Sequence, residues 1–233
     1  MLLSQTGRPP QTMPGVERLL RVILAVAMIA GPLGYLVGGL LEPAAHTGGQ
    51  ATIAANVAAS PVTNAVHLVA FVVASYLLPV GVVGLAFLAW HGTPWLATIG
   101  GLLGVLGWLP FSALAALDDL AVAMAQLPAS GSYAVLWDRF AYDPIMNGYL
   151  LVYIIGHLAA YVLLAIALRR SRVIPPWAAW SMAASSPVLI AAFALPSHVG
   201  GAGLGVAGAS VVLLIVGSLP AARALGTLGE TEV

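Results

Sequence analysis

Apolar residues fill this chain in long blocks separated by short polar punctuation. Reading those blocks in order predicts six helices. Helix one runs from Val16 or Leu19 to Leu41 and helix two from Val62 to Trp90. Helix three runs from Trp95 to Leu117, with a possible extension to Leu127. Helix four spans Met146 to Leu168, helix five Trp177 to Leu195, and helix six Gly200 to Leu219. Each block is near or above the roughly 20 residues that cross a bilayer core. The first is longer than the apolar core of a signal peptide, so it reads as an uncleaved anchor. Between the blocks, Glu42 to Pro61 reads as a loop of small residues and His91 to Pro94 as a tight turn. Pro128 to Gly131 break the third helix, and Ala134 to Asp143 read as a short interfacial helix. Pro175-Pro176 start helix five, and Pro196-Ser197-His198 turn the chain into helix six.

The expected architecture is an all-α, six-span transmembrane bundle over residues 16–223. A polar tail (1–15) precedes it and a short tail (224–233) follows. Arginine placement gives the orientation, because cytoplasmic loops hold an excess of positive residues. With six spans, Arg8, Arg18, Arg21, Arg169, Arg170, Arg172 and Arg223 share one side and Arg139 alone takes the other. Both termini are then cytoplasmic, in the cell membrane. The opposite side receives Glu42, Asp118, Asp119, Asp138 and Asp143. Gly34/Gly38, Gly100/Gly104 and Gly201/Gly205/Ala209 repeat at four-residue spacing, which lets helix backbones approach closely in lipid.

Composition narrows the chemistry. Only 7% of residues are charged and 61% are hydrophobic, so a water-facing shell cannot be built. The partners expected are the lipid bilayer and a hydrophobic small molecule; oligomeric state cannot be read. All eight basic residues are arginine and there is no cysteine, which removes lysine Schiff-base and thiolate chemistry. Zero net charge gives nucleic-acid binding no electrostatic basis. The glycines at 200–208 follow a turn rather than a strand and lack a phosphate-loop lysine.

Polar groups inside apolar helices are costly in lipid and usually face the bundle interior. Tyr149, Tyr153, His157 and Tyr161 repeat every four residues along helix four and form one stripe. The stripe reads either as interfacial tyrosines with a core histidine or as the wall of a ligand cavity. Asn64, His67, Phe71 and Ser75 share a face of helix two. On a continuous helix three, Trp108, Ser112 and Asp119 share a face, with Phe111 and Asp118 beside it. Trp137 adds an aromatic group from the interfacial helix. The acids read either as solvated carboxylates or as a buried pair whose mutual repulsion keeps one protonated.

Three functions fit these residues. The first is acid catalysis on an amphipathic isoprenoid or lipid, such as cyclisation or isomerisation. Asp119 would be the proton donor and Asp118 its neighbour. Trp108, Phe111, Ser112, Asn64, His67, Phe71, Tyr149, Tyr153, His157 and Trp137 would line the substrate cavity. The second is haem or metal ligation by His67 and His157, with His198 or His46; no two histidines have the spacing of a helical ligand pair, so neither metal nor cofactor is expected. The third is non-catalytic transport or sensing of a small molecule.

The segment GYLLVYIIGHLAAYVLLAIALRRSRVIPPWAAW resembles a pattern in small uncharacterised multi-pass membrane proteins of high-GC bacteria. Gly156, His157, Arg170, Arg172, Pro176, Trp177 and Ala178 carry the likeness, which implies a fold and no reaction. In size, helix number and outer-side acids the chain is also similar to small integral-membrane terpene cyclases. That similarity implies protonation of an alkene or epoxide by a membrane carboxylic acid. The Asp118-Asp119-Leu120-Ala121-Val122 run lacks the last acid of a DDxxD motif, so diphosphate–magnesium chemistry is not implied.

Overall fold

A computed structural model describes residues 14–43, 48–194 and 201–227, and these are helical almost throughout. In chain order the helices are α1 (Pro14–Leu41), α2 (Gly49–Ala58), α3 (Pro61–Ala89), α4 (Pro94–Trp108) and α5 (Phe111–Ala125). A 3-10 turn (Ser130–Tyr133) leads into α6 (Ala134–Ala141), α7 (Pro144–Arg170), α8 (Pro176–Ala194) and α9 (Gly201–Thr227). Five stretches among the described residues are long and apolar enough to cross a membrane. They are Gly15–Leu41, Pro61–Ala89, the combined α4–α5 stretch Pro94–Ala125, Pro144–Arg170 and Gly203–Gly226.

Two sequence expectations need correction. The Glu42–Pro61 segment is not all loop, because it folds into α2. Thr52, Ile53 and Asn56 from α2 are buried, so its sparse apolar content conceals a packed face. The third block is not one helix. It breaks at Leu109-Pro110, because proline lacks an N–H and its ring clashes with the preceding turn, and α5 starts again at Phe111. Pro32, Pro79, Pro187 and Pro220 instead lie within helices, as neighbouring helices in lipid permit. Helix six therefore runs on to Thr227.

Glycines set the packing and the directions. A Cβ on Gly31 would touch the Leu78 backbone at 3.0 Å, and one on Gly81 would touch the Ala27 carbonyl at 3.1 Å, so α1 and α3 are antiparallel. Gly104 faces Val82 and Gly101 faces Ala86, which sets α4 antiparallel to α3. Gly100 faces Leu164 and Gly107 faces Gly156, which sets α7 antiparallel to α4. Ser186 Oγ donates to the Leu158 carbonyl across α7–α8 at 2.9 Å, and Ser181 Oγ donates to the Leu213 carbonyl across α8–α9 at 2.8 Å. The long helices thus alternate in direction. One end of the bundle carries the turns at 90–93 and 171–175; the other carries α2, α6 and the start of α7.

That second end is capped. Ile53, Ala121, Met124, Ala134 and Trp137 form a satellite core joining α2, α5 and α6. Asp138 accepts the Gly49 N–H at 2.7 Å and so stabilises the start of α2, where a negative charge is favoured. Asp143 caps α7 by accepting from the Ile145 N–H at 2.8 Å.

Candidate functional site

The centre of the capped half is an aromatic cluster drawn from α1, α3, α4, α5 and α7. Phe111 stacks on Tyr153 with ring centroids 5.6 Å apart, and Tyr35 meets Phe111 at 5.2 Å and Trp108 at 5.4 Å. Phe71 closes one side against Phe111 at 5.2 Å and meets His67 at 5.9 Å. Hydrogen bonds lock the hydroxyls. Tyr35 and Tyr153 share one at 2.6 Å, and Trp108 Nε1 donates to the Tyr161 hydroxyl at 3.0 Å. His157 Nδ1 bonds the Tyr153 carbonyl one turn back. Trp108, Phe111, Phe71, Tyr153, His157 and His67 are all buried, and the structure brings them together.

Other predicted positions lie elsewhere. Tyr149 is 43% exposed, because the stripe drifts round α7 as it nears the helix start. Ser112 is exposed and its hydroxyl donates to the Leu109 carbonyl at 3.0 Å. Asp119 is exposed, whereas Asp118 is half-buried. The shared face of Trp108, Ser112 and Asp119 assumed a continuous helix, and the break at Pro110 rotates α5 relative to α4. Trp137 is buried in the satellite core rather than in the aromatic cluster. His46 and His198 lie outside the described residues.

Glu42 was not singled out by the sequence. It lies just past the end of α1, seven residues beyond Tyr35, and Asp118 lies seven beyond Phe111 on α5. Seven residues are close to two helical turns, so Asp118 sits on nearly the same face as Phe111, roughly 10 Å nearer the capped end, and Glu42 leaves α1 at that same end. Both helices point towards that end and their rings touch, so the two carboxyls occupy neighbouring positions. Burial, and secondarily the charge of Asp118, push the Glu42 carboxyl up from its ordinary 4.5 to about 8. A lone acid closing an apolar helix just before Pro43 was the available sequence signal.

At the same end, α2 and α3 carry a row of buried polar groups. Asn64 Nδ2 donates to the Asn56 carbonyl at 3.1 Å, and Asn56 Nδ2 donates to the Thr52 carbonyl at 2.9 Å. Those bonds fix both amides with Oδ1 left over. Thr52 Oγ1, Asn56 Oδ1, Asn64 Oδ1, His67 Nδ1 and Trp137 Nε1 all lack a hydrogen-bond partner. Buried polar groups are normally satisfied, so a concentration of them marks a place where a polar ligand or water belongs.

A cavity of about 20 Å³ lies deeper, bordered by Tyr35, Trp108, His157, Tyr161, Ser185 and Ser210 among others. On this measure roughly 10–15 Å³ holds one water, so this cavity has no room for an isoprenoid or a haem. Among the described residues no three His, Cys, Asp or Glu gather as a metal site. No protein family, curated protein or solved structure matches the chain.

Proposed function

We propose that the protein is a six-span membrane protein of the cell membrane, with both termini cytoplasmic, and that its capped, outer end performs acid catalysis on an amphipathic isoprenoid or lipid. The antiparallel alternation of the long helices supports α8 as the sixth span. The exposed Trp90, Trp95, Trp177 and Trp180 at the opposite end, with Arg169 stacked 4.8 Å over Trp180, suit a cytoplasmic interface.

The observation that carries the catalytic reading is the placement of Glu42 near Asp118 at the capped end, beyond the aromatic cluster and at the same end as a row of unsatisfied polar groups. A carboxyl that keeps its proton near neutral pH is a competent general acid. Glu42 is the proton donor and Asp118 the neighbour that holds the proton on it. Asp119, exposed on the far side of α5, loses the role its spacing suggested. The Thr52–Asn56–Asn64–His67 row suits a polar headgroup, and Tyr35, Phe71 and Phe111 can stabilise developing positive charge on the reacting chain.

The test is deuterium incorporation. Purified protein is incubated in D2O with a panel of isoprenoid alkenes and epoxides. Wild type and Asp119→Asn should place deuterium on carbon, and Glu42→Gln and Asp118→Asn should lower that at least about 100-fold, as loss of general acid catalysis does. Absence of incorporation by the wild type across the panel would overturn the catalytic reading. It would leave the non-catalytic transport or sensing reading.

A further inference from the structure

We infer that the middle of the bundle holds one structural water, bound to His157 Nε2, as a hydrogen-bonding site joining α7, α8 and α9. The inference does not depend on the chemistry proposed for the outer end.

The imidazole of His157 is only 2% exposed, packed against two rings and a backbone carbonyl. Trp108 lies over it at 4.7 Å and Tyr153 at 4.4 Å, while Nδ1 is engaged by the Tyr153 carbonyl. A carbonyl can only accept, so Nδ1 carries the proton and Nε2 of the neutral ring carries a lone pair. Nε2 has no partner. His157 borders the cavity, and Nε2 is its one unpartnered nitrogen. Leaving such an acceptor dry costs the desolvation of the nitrogen.

The other polar walls complement a water. Ser185 Oγ donates to the Met182 carbonyl at 2.7 Å and Ser210 Oγ to the Ala207 carbonyl at 2.6 Å, so each oxygen keeps lone pairs to accept with. The Tyr161 hydroxyl accepts from Trp108 Nε1, so its own proton remains to donate. A water there can donate to Nε2 and to a serine oxygen and accept from Tyr161. That meets the two to four partners a buried water requires, in a volume that takes one. The site has no carboxylate, so it suits a neutral donor rather than a cation.

The test uses the full chain, labelled with ¹⁵N-histidine and reconstituted in lipid vesicles. Water-edited solid-state NMR should transfer magnetisation from water protons to an unprotonated Nε2, and His157→Gln should remove that signal. Ser210→Leu, which fills the cavity, should abolish the transfer while leaving the His157 resonance. Ser210→Ala, which does not fill it, should retain the transfer. A His157 resonance protonated at Nε2, or an unprotonated Nε2 with no water transfer in the wild type, would overturn the inference; both readouts come from the wild type and do not require the variants to fold.

Discussion

Glu42 carries a proton in the folded protein that an unfolded chain gives up. Its carboxyl titrates at about 8 instead of 4.5, through burial and the adjacent Asp118. The folded state therefore binds more protons than the unfolded state between these values. Stability then falls as pH rises through that window, since the slope follows the difference in bound protons. Thermal unfolding in detergent should show a melting temperature that declines from about pH 5 to pH 8. Glu42→Gln should lessen the decline and raise the midpoint at pH 8. A wild-type midpoint that is flat over this range would remove the buried proton. Residue roles were partly legible in the sequence. The Tyr153–His157–Tyr161 stripe reads directly because it lies within one unbroken helix. The pairing of Tyr35 with Tyr153 and of Glu42 with Asp118 joins residues 118 and 76 positions apart, which spacing within a helix cannot reveal.

Helix contacts in this bundle are set where small residues let backbones meet. α4 crosses α7 closely, where a Cβ on Gly156 would lie 2.6 Å from Gly107 Cα and one on Gly107 would lie 2.6 Å from the Gly156 carbonyl carbon. No flexible side chain can yield there. Gly156→Ala should therefore cost about 1–3 kcal/mol, the typical range for overpacking, seen as a lower melting temperature in detergent. It should also shift the environment of His157, the next residue. Gly205→Ala, which meets nothing within 4 Å, should be neutral. Equal effects of the two would mean that the α4–α7 crossing is not the constraint. The four-residue glycine spacing identified Gly34, Gly38, Gly100 and Gly104, all of which face a neighbouring helix, but it also pointed to Gly205, which meets nothing within 4 Å. It missed Gly107 and Gly156, which pair across helices rather than along one. The same limit applies to α4 and α5: apolar content reads continuously through Leu109-Pro110, and only the proline indicates the break.

At the scale of the molecule, long apolar blocks separated by prolines announce a membrane bundle, while the cap built from α2, α5 and α6 is hidden because its buried residues are few. Sidedness follows from how the helices alternate and where charge collects. Arg18, Arg21, Arg169, Arg170 and Arg172 lie at one end, and Glu42, Asp118, Asp119, Asp138 and Asp143 at the other. Insertion keeps arginine on the cytoplasmic side, so the acidic, capped end should face outward. The absence of native cysteine makes single-cysteine labelling clean. Gln126→Cys, exposed at the end of α5, should react with a membrane-impermeant maleimide in intact cells. Arg170→Cys, exposed at the end of α7, should react only after permeabilisation. Gly226→Cys, at the far end of α9, decides the span count. If α8 crosses the membrane, Gly226 shares a side with Arg170 and is protected in intact cells. If α8 lies along the surface instead, α9 emerges on the outer side and Gly226→Cys is labelled without permeabilisation. The antiparallel seam between α9 and α8, fixed where a Cβ on Gly217 would meet the Ala178 carbonyl and the Met182 backbone at 2.7 Å, predicts the protected result.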